Sequence, residues 1–565
     1  MIYIIIIIFK NILNNINIFC HIIIYKMGIP SYFSYIIKNY SNIIRSCKQI
    51  VDEQVCFQYL YMDCNSIIYD EFRQMEEDIA KNNLQVEDIE KILISKVIAK
   101  IGSYINYIKP TKLVFIAFDG VAPLAKMEQQ RSRRSKGYIT EKIQKHVSNK
   151  NITPKWSTTN ITPGTKFMNN LSQKIKKSFE HLEQHYGVDS IIVSGSDSAG
   201  EGEHKMFQHI RDHKKSKSGN IAVYGLDSDL IMLSVFHCKL FDNLFIFRET
   251  PEFGKQIISG HHNDSQYLFL HIQTFANAIL SEMNCNSYDN HLLYDYIFMC
   301  FLLGNDFLPH FPSLNIRTTG IDTLLTVYRN VIGKHANKSF IDKNMQIVWR
   351  NVLLFFNVLA KEEHTRLLVE YSTRDKFGKR KWTTENEESR NNVVLNVPII
   401  YRSEENYICP QSQYWELRYY KTLFSSDCNV KNICINYLEG LEWVFKYYTN
   451  NCPDWRWKYN YHYPPLMKDI CKYIPNKFHD FIQDCRKPFS SYVQLAYVLP
   501  KRTQSLLPNH IQNYLTNHCS QYYANDEDIQ YQWAFCRYFW EAHPILQPIS
   551  LHILEKWDYE FNHVL

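Results

Sequence analysis

Apolar residues in the amino-terminal half of this chain come in short dense runs separated by amphipathic stretches. Phe57–Asp63 (FQYLYMD), Leu113–Asp119 (LVFIAFD) and Ile221–Asp227 (IAVYGLD) are strand-length and rich in β-branched and aromatic residues. Each is bounded by turn-forming residues, so each predicts a buried strand. Ser190–Ser194 (SIIVS) and Leu244–Phe247 (LFIF) predict two shorter ones. Lys91–Tyr107 has the length and period of a crossover helix, and Leu292–Leu303 predicts an apolar helix ending at Gly304. From Met27 to about Gly333 this alternation predicts a doubly wound α/β domain. Ser372–Asn392 is dense in charge and poor in apolar residues, the pattern of a linker. Beyond it, Trp415–Leu565 is aromatic-rich and mostly helical by period, punctuated by Pro464, Pro465, Pro488, Pro500 and Pro508. The expected division is an apolar extension at 1–26, an α/β domain at 27–345, a helix plus polar linker at 346–395, and a mostly helical region at 396–565.

All three longer runs end on an aspartate. Ligands of an open α/β sheet sit in the crevice outside the carboxyl ends of its strands, so Asp63, Asp119 and Asp227 are candidates for one site. Asp229, two residues on, faces the same way if the chain stays extended. Glu201 and Glu203 lie in SDSAGEGEH, a glycine-punctuated turn leading into a helix, and Asp306 follows an apolar helix in GNDFLPH. A lone aspartate at an element end is more often a cap or a solvated turn residue. Seven carboxylates at element ends in one α/β domain would repel one another unless cations lie between them, which points to divalent metal. Two ions about 4 Å apart would clamp the attacking water and the leaving oxygen of an in-line phosphoryl transfer.

A basic segment, AKMEQQRSRRSKGY, begins seven residues after Asp119. On a helix, Lys126, Gln130, Arg133 and Arg134 fall at i, i+4, i+7 and i+8 and share a face, with Arg131 off it. A charge run on a helix is ordinarily a solvated surface, but this one starts at the predicted metal end of the sheet. Two arginine forks, an ammonium and an amide on one face suit a terminal phosphate with its several acceptor oxygens. The pocket points to a 5′-monophosphate end.

Composition narrows this reading without directing it. Hydrophobic residues make up 45% of the 565 positions and charged residues 21%, a globular balance. Sixty-three Lys and Arg against 57 Asp and Glu leave a net charge of only +6, so evidence for nucleic acid must be local. Fifteen cysteines without a C-x-x-C pair argue against a disulfide framework or a zinc knuckle. The expectation is a reducing intracellular compartment, cytoplasmic or nuclear, and not secretion. Residues 1–26 are apolar but broken by Lys10 and several Asn, with no small-residue cleavage site. They are expected to lie outside the fold, with translation starting at Met27, where MGIPSYFSYIIKNY opens an amphipathic helix with Pro30 near its first turn. No membrane association is expected.

MGIPSYF, YLYMDCNSIIY, AFDGVAPLAKMEQQRSRR, ITPGTKFM, SDSAGEGEHKMFQHIR, VYGLDSDLIML and FLLGNDFLPHFPSL resemble, in order, the motifs of the eukaryotic 5′→3′ exoribonuclease family, the Xrn/Rat nucleases. YWELRYYKTLF, GLEWVFKYYTNNCPDWRWKYNYHYPP and PFSSYVQLAYVLP resemble that family's second characteristic region. The similarity runs from Met27 to about Pro508, with a weaker echo in Trp533–Pro548.

The resemblance implies a PIN-like, flap-nuclease-type α/β fold with a mostly parallel sheet flanked by helices, followed by a mostly helical second region. It implies Mg2+-dependent processive 5′→3′ hydrolysis of single-stranded RNA bearing a 5′-monophosphate, with release of mononucleotides, Mn2+ substituting, by a monomer. Asp63, Asp119, Glu201, Glu203, Asp227, Asp229 and Asp306 match the family's acidic metal site, and Lys126, Gln130, Arg133 and Arg134 its 5′-phosphate pocket. Trp457 matches the tryptophan that stacks on the leading bases, with Trp455 close by. Where the family usually places a base-stacking histidine, this chain has Tyr69, which can stack but cannot carry positive charge near neutral pH. The chain is expected to be a compact member without a long carboxyl-terminal extension. A flap-type DNA endonuclease has less need of the Lys126/Gln130/Arg133/Arg134 pocket, and an inactive RNA-end-binding module has no use for carboxylates that repel phosphate.

Overall fold

The computed structural model describes residues 31–82, 84–148, 156–213, 219–250, 266–283, 290–335, 337–425 and 428–563. The amino-terminal extension at 1–26 lies outside them. Among the described residues seven strands form the main sheet: β1 (Ile44–Ser46), β2 (Phe57–Asp63), β3 (Leu113–Ala117), β4 (Ser190–Ser194), β5 (Asn220–Tyr224), β6 (Asn243–Glu249) and β7 (Tyr267–His271). Their order is β1-β7-β6-β5-β2-β3-β4. The run from β6 to β4 is parallel, while β7 is antiparallel to β6 and β1 to β7. Chain order reverses about β2, which has β3 on one side and β5 on the other, and that makes the crevice beyond β2 the expected ligand position.

Side chains of the central strands alternate between two cores, as a strand buried on both faces requires. Tyr59, Tyr61, Phe115, Ile221, Val223, Leu244 and Ile246 enter one cluster, and Leu60, Met62, Val114, Ile116, Ala222, Tyr224, Phe245 and Phe247 the other. The first cluster continues through the helix Leu293–Cys300 and Trp349 to Trp443, Phe445 and Tyr447 of the helix Val430–Thr449. The sheet and the helical region thus share one apolar core. Each fully buried aliphatic or aromatic side chain in it stabilises by roughly 1.5–3 kcal/mol.

The strand boundaries differ from the sequence reading in a way that matters for the site. β3 stops at Ala117 and β5 at Tyr224, so Asp119 and Asp227 sit on loops past the strand ends rather than on the strands. The last bond of the parallel β3–β4 ladder runs from Phe118 N–H to Ser194 O at 3.0 Å, and the chain leaves the sheet after it. β1 and β7 were not anticipated; three residues, as in β1, are too few to show a period.

The expected polar linker at Ser372–Asn392 is also corrected. The helix Trp349–Gly378 runs through its first part, and Asn386 caps a second helix, Glu387–Leu395. Most of the charge there is solvated, as expected, but Arg374, Glu387 and Arg390 are buried. Arg374 donates to both Glu405 oxygens at 2.5 and 2.9 Å, and Arg402 to Glu405 Oε2 at 2.6 Å, all three side chains being buried. Of the charges in the stretch Arg374 enters this buried network, and the linker reading fails because helices, not a tether, occupy both ends of the segment.

Candidate active site

The loops after β2, β3, β4 and β5 converge at one edge of the sheet. Gly120 N–H donates to Gly200 O at 2.9 Å and Gly200 N–H to Val121 O at 2.8 Å, joining the β3 and β4 loops. The approach demands glycine at 120, where a Cβ would stand 1.7 Å from Ser198 O. Gly202 opens the helix Gly202–Asp212, and its N–H donates to Asp119 Oδ1 at 2.7 Å. A Cβ on Gly202 would meet Asp63 Oδ1 at 2.4 Å, so this glycine lets a helix amino terminus approach two carboxylates. Asp227 and Asp229 share the site without the extended chain expected between them. Ser228 is helical in φ and ψ, and Asp229 begins the helix Asp229–His237.

These carboxylates sense one another. Burial, then Asp119 and Asp227, raise Asp63 well above the usual carboxylate range. Burial, with Asp229 and Glu201, does the same to Glu203, and burial, with Asp306, to Asp229. Asp227 is pushed up to about 6 by burial, although Lys126 opposes the shift. Buried anions in each other's field favour any cation that can sit among them.

Lys126 is the cation already there. Its Nζ lies 2.5 Å from Glu201 Oε2 and 2.6 Å from Asp306 Oδ2, and the lysine is 5% exposed. Burial works against its charge, but Asp306, Glu201 and Glu203 outweigh it and hold the ammonium well above the ordinary lysine range. Glu203 Oε2 and Asp229 Oδ1 are buried without a hydrogen-bond partner, the kind of oxygen a hard divalent cation takes. Among the described residues no three His, Cys, Asp or Glu side chains converge tightly enough to hold an ion as they stand. The donor set fits a divalent metal in its chemistry, with Lys126 standing between two of its members.

Lys126 lies on the helix Leu124–Ser148, which also carries Gln130, Arg133 and Arg134. Gln130 is buried and its Oε1 has no partner. Arg134 donates from Nη1 to Thr159 O at 3.3 Å while its Nε is buried without an acceptor, and burial lowers its pKa to about 10. Tyr69 is half-buried, with its phenol in the field of Arg134. Arg131 points elsewhere, donating to Tyr522 O and Gln547 O at 3.3 and 2.9 Å and packing on Tyr497.

The family model described as "XRN 5'-3' exonuclease N-terminus" matches residues 27–250, and that described as "Xrn1 helical domain" matches 287–409 and 411–543. The 5'-3' exoribonuclease 1 of Saccharomyces cerevisiae is 26% identical over 625 residues, covering 85% of this chain and 40% of that protein. The 5'-3' exoribonuclease 1 of Homo sapiens is 27% identical, covering 85% of this chain and 31% of the human protein. The 5'-3' exoribonuclease 2 of Gallus gallus is 26% identical, with 85% and 64% covered. The chain belongs to the Xrn family. It spans less than two thirds of the length of these relatives.

One expected site residue of this Xrn family member is buried. Trp457 is 6% exposed, stacks on Trp443 with centroids 5.2 Å apart, and donates its indole N–H to Glu439 at 3.2 Å. Its ring belongs to the apolar core, with one face covered by Trp443. Trp455, two positions earlier, is half-exposed near Gly200, and its carbonyl accepts the Leu124 N–H at the start of the basic helix. A turn at Trp455 and Arg456 separates the two rings, leaving Trp455 half-exposed and Trp457 buried.

Three residues entered the site unannounced. Asn65 donates to Asp119 Oδ2 at 2.5 Å. Lys205 is buried and donates to Phe118 O and Gly195 O, both at 2.8 Å, tying the β3 and β4 loops, and burial pushes its pKa down to about 8. Tyr447, from the helix Val430–Thr449, donates to Glu201 Oε1 at 2.9 Å and stacks on His204 with centroids 3.6 Å apart. Asn65 and Lys205 stand inside motifs that carry the acidic residues, so their position was visible although their partners were not.

Proposed function

We propose that this chain is a 5′→3′ exoribonuclease that hydrolyses single-stranded RNA from a 5′-monophosphate end, releasing mononucleotides processively and acting as a monomer. The observation that carries this reading is the convergence of Asp63, Asp119, Glu201, Glu203, Asp227, Asp229 and Asp306 beside the helix face of Lys126, Gln130, Arg133 and Arg134. The printed names of the relatives above, 5'-3' exoribonucleases, support it. Mg2+, held by the seven carboxylates, would supply the activation of water and the neutralisation of the leaving oxyanion.

The chain's own residues do the rest. Asn65 and the Gly202 N–H fix the two oxygens of Asp119, and Tyr447 fixes Glu201. Lys205 holds the loops that carry them. Arg133, Arg134, Gln130 and Lys126 receive the terminal phosphate through charge-assisted hydrogen bonds. Tyr69 and Trp455 offer π-faces to the leading bases. Glu128 anchors this helix to the helical region through Lys458 and Tyr497, so the pocket cannot drift from the metal ligands.

A reducing intracellular compartment, cytoplasmic or nuclear, fits the thirteen described cysteines, all of them free thiols. Among the described residues no helix is long and apolar enough to cross a membrane. The deciding experiment uses end-labelled RNA of one sequence carrying 5′-phosphate, 5′-hydroxyl, 5′-triphosphate or a cap. With Mg2+, mononucleotides should appear from the 5′-phosphate substrate first, and none with EDTA. Internal cleavage independent of the 5′ group would point to the endonuclease reading instead.

A further inference from the structure

We propose that Lys126 is the built-in counter-ion of the metal-free carboxylate cluster, and that divalent metal displaces it into the 5′-phosphate pocket. The inference rests on the exonuclease reading above. Its first ground is position. The Lys126 ammonium makes contacts of 2.5 Å to Glu201 and 2.6 Å to Asp306, both of which belong to the proposed metal-ligand set. All three side chains are 7% exposed or less.

The second ground is what this leaves undone on the helix Leu124–Ser148. Gln130 Oε1 and Arg134 Nε are buried without partners. The first member of the phosphate-binding face is turned toward the acidic side, while the Arg134 Nε–H is a donor open to an anion and Gln130 Oε1 an acceptor open to an ammonium. A lysine head is a compact charge on a flexible four-carbon stem, able to swing where a planar arginine is held in its fork.

The third ground is electrostatic. A divalent ion bound to Glu201 and Asp306 would occupy the ammonium's place, and two cations cannot share it in a low-dielectric site. The displaced ammonium needs another anion within reach of its own stem. The phosphate received by Gln130, Arg133 and Arg134 is that anion. Metal and 5′-phosphate then favour each other's binding, and the coupling is reciprocal. End recognition becomes conditional: without metal, the pocket lacks one of its four groups. The device would keep RNA ends from being held by an enzyme that cannot cut them.

The test needs no catalysis. Calcium, which accepts oxygen ligands in flexible geometry, is titrated by calorimetry into wild type, Lys126→Met, and Arg133→Met as a control for losing any nearby positive charge. Lys126→Met should bind calcium about tenfold or more tighter than wild type and melt lower only when metal-free, whereas Arg133→Met should shift affinity by less than about threefold. Lys126→Gln serves if the methionine variant does not fold. In wild type, preference for adenosine 5′-monophosphate over adenosine should grow with calcium relative to EDTA, and in Lys126→Met more of that growth should be lost than in Arg133→Met. Unchanged or weaker calcium binding by Lys126→Met, or equal shifts in both variants, would overturn the proposal. Failure of RNA hydrolysis alongside the expected calcium shift would instead sink the exonuclease reading and leave the lysine exchange standing.

Discussion

Asn65 holds Asp119 from two directions: its side-chain N–H donates to Asp119 Oδ2 at 2.5 Å, and its carbonyl oxygen accepts the Asp119 backbone N–H at 3.1 Å. The start of the helix Asn65–Asn82 and the loop after β3 are thereby locked, with one carboxylate oxygen aimed by a neutral partner that adds no charge. A hydrogen bond to a charged group is worth roughly 1.5–3 kcal/mol. Asn65→Ala should therefore lower kcat/KM on 5′-phosphorylated RNA by about ten- to a hundredfold. A variant within twofold of wild type would show that Asp119 is oriented by other means.

Replacing Asp227 or Asp229 by Asn should abolish hydrolysis without unfolding the protein. Both sit among like charges and both have raised proton affinity, so removing one charge relieves repulsion in the metal-free state. The metal-free melting temperature should hold or rise while turnover in Mg2+ disappears. Near-wild-type turnover in a folded variant would assign the cluster a structural role.

Arg133→Ala should weaken productive binding of 5′-phosphorylated RNA by about ten- to a hundredfold, the value of one charge-assisted bond. RNA of the same sequence with a 5′-hydroxyl never makes that contact and should be little affected. Equal slowing on both would make the helix a general backbone-binding surface.

The two neighbouring tryptophans should separate cleanly. Trp457→Ala removes a buried ring packed on Trp443 and should destabilise the fold by about 3–5 kcal/mol. Trp455→Ala should leave the melting temperature within a few degrees and weaken RNA binding by about 1–3 kcal/mol, the worth of one base stack. Denaturant melts and equilibrium binding on the same preparations decide it, and the reverse pattern would restore Trp457 to the RNA path.

Much of the site was legible because its chemistry lies at element ends. Asp63 closes β2, and Glu201 and Glu203 flank a glycine turn, features that survive in one dimension. Dense apolar runs of strand length, rich in aromatic and β-branched residues, were enough to assign FQYLYMD and LVFIA as buried strands. Trp457 against Trp455 was not legible, because both stand in one aromatic-rich segment and burial is decided by Trp443, a residue on another element. The charged stretch before Asn392 misled because its solvated charges look alike on a helix and on a linker, while Arg374 turns inward to Glu405, which lies beyond the stretch. Tyr447 reaching Glu201 is a contact across 246 positions and leaves no local trace.

Glu363 offers a pH handle away from the site. It is buried on the helix Trp349–Gly378 and accepts the Met467 N–H at 2.9 Å, and burial pushes its carboxyl from 4.5 up to about 8. Between those values the folded protein keeps a proton that the unfolded chain gives up. The contribution is complete below pH 4.5 and is lost as pH rises through about 8. Glu363→Gln, neutral at every pH, should match wild type at pH 5 and exceed it at pH 9 in urea unfolding. The same difference at both values would show that this carboxyl does not titrate between them.

The hydrogen bond from Tyr447 to Glu201 also bears on when the proposed site is completed during synthesis. A nascent chain emerges from its amino terminus and folds in that order, so the sheet and six of its seven carboxylates are exposed to the cell's RNA before the rest exists. Asp306 comes later, and the helix that carries Tyr447 later still. The shared apolar core delays closure in the same way, since Trp443 and Phe445 complete the sheet face that β2 and β5 begin. In the exonuclease proposed above, the acidic site would thus be completed only after the helical region has been made.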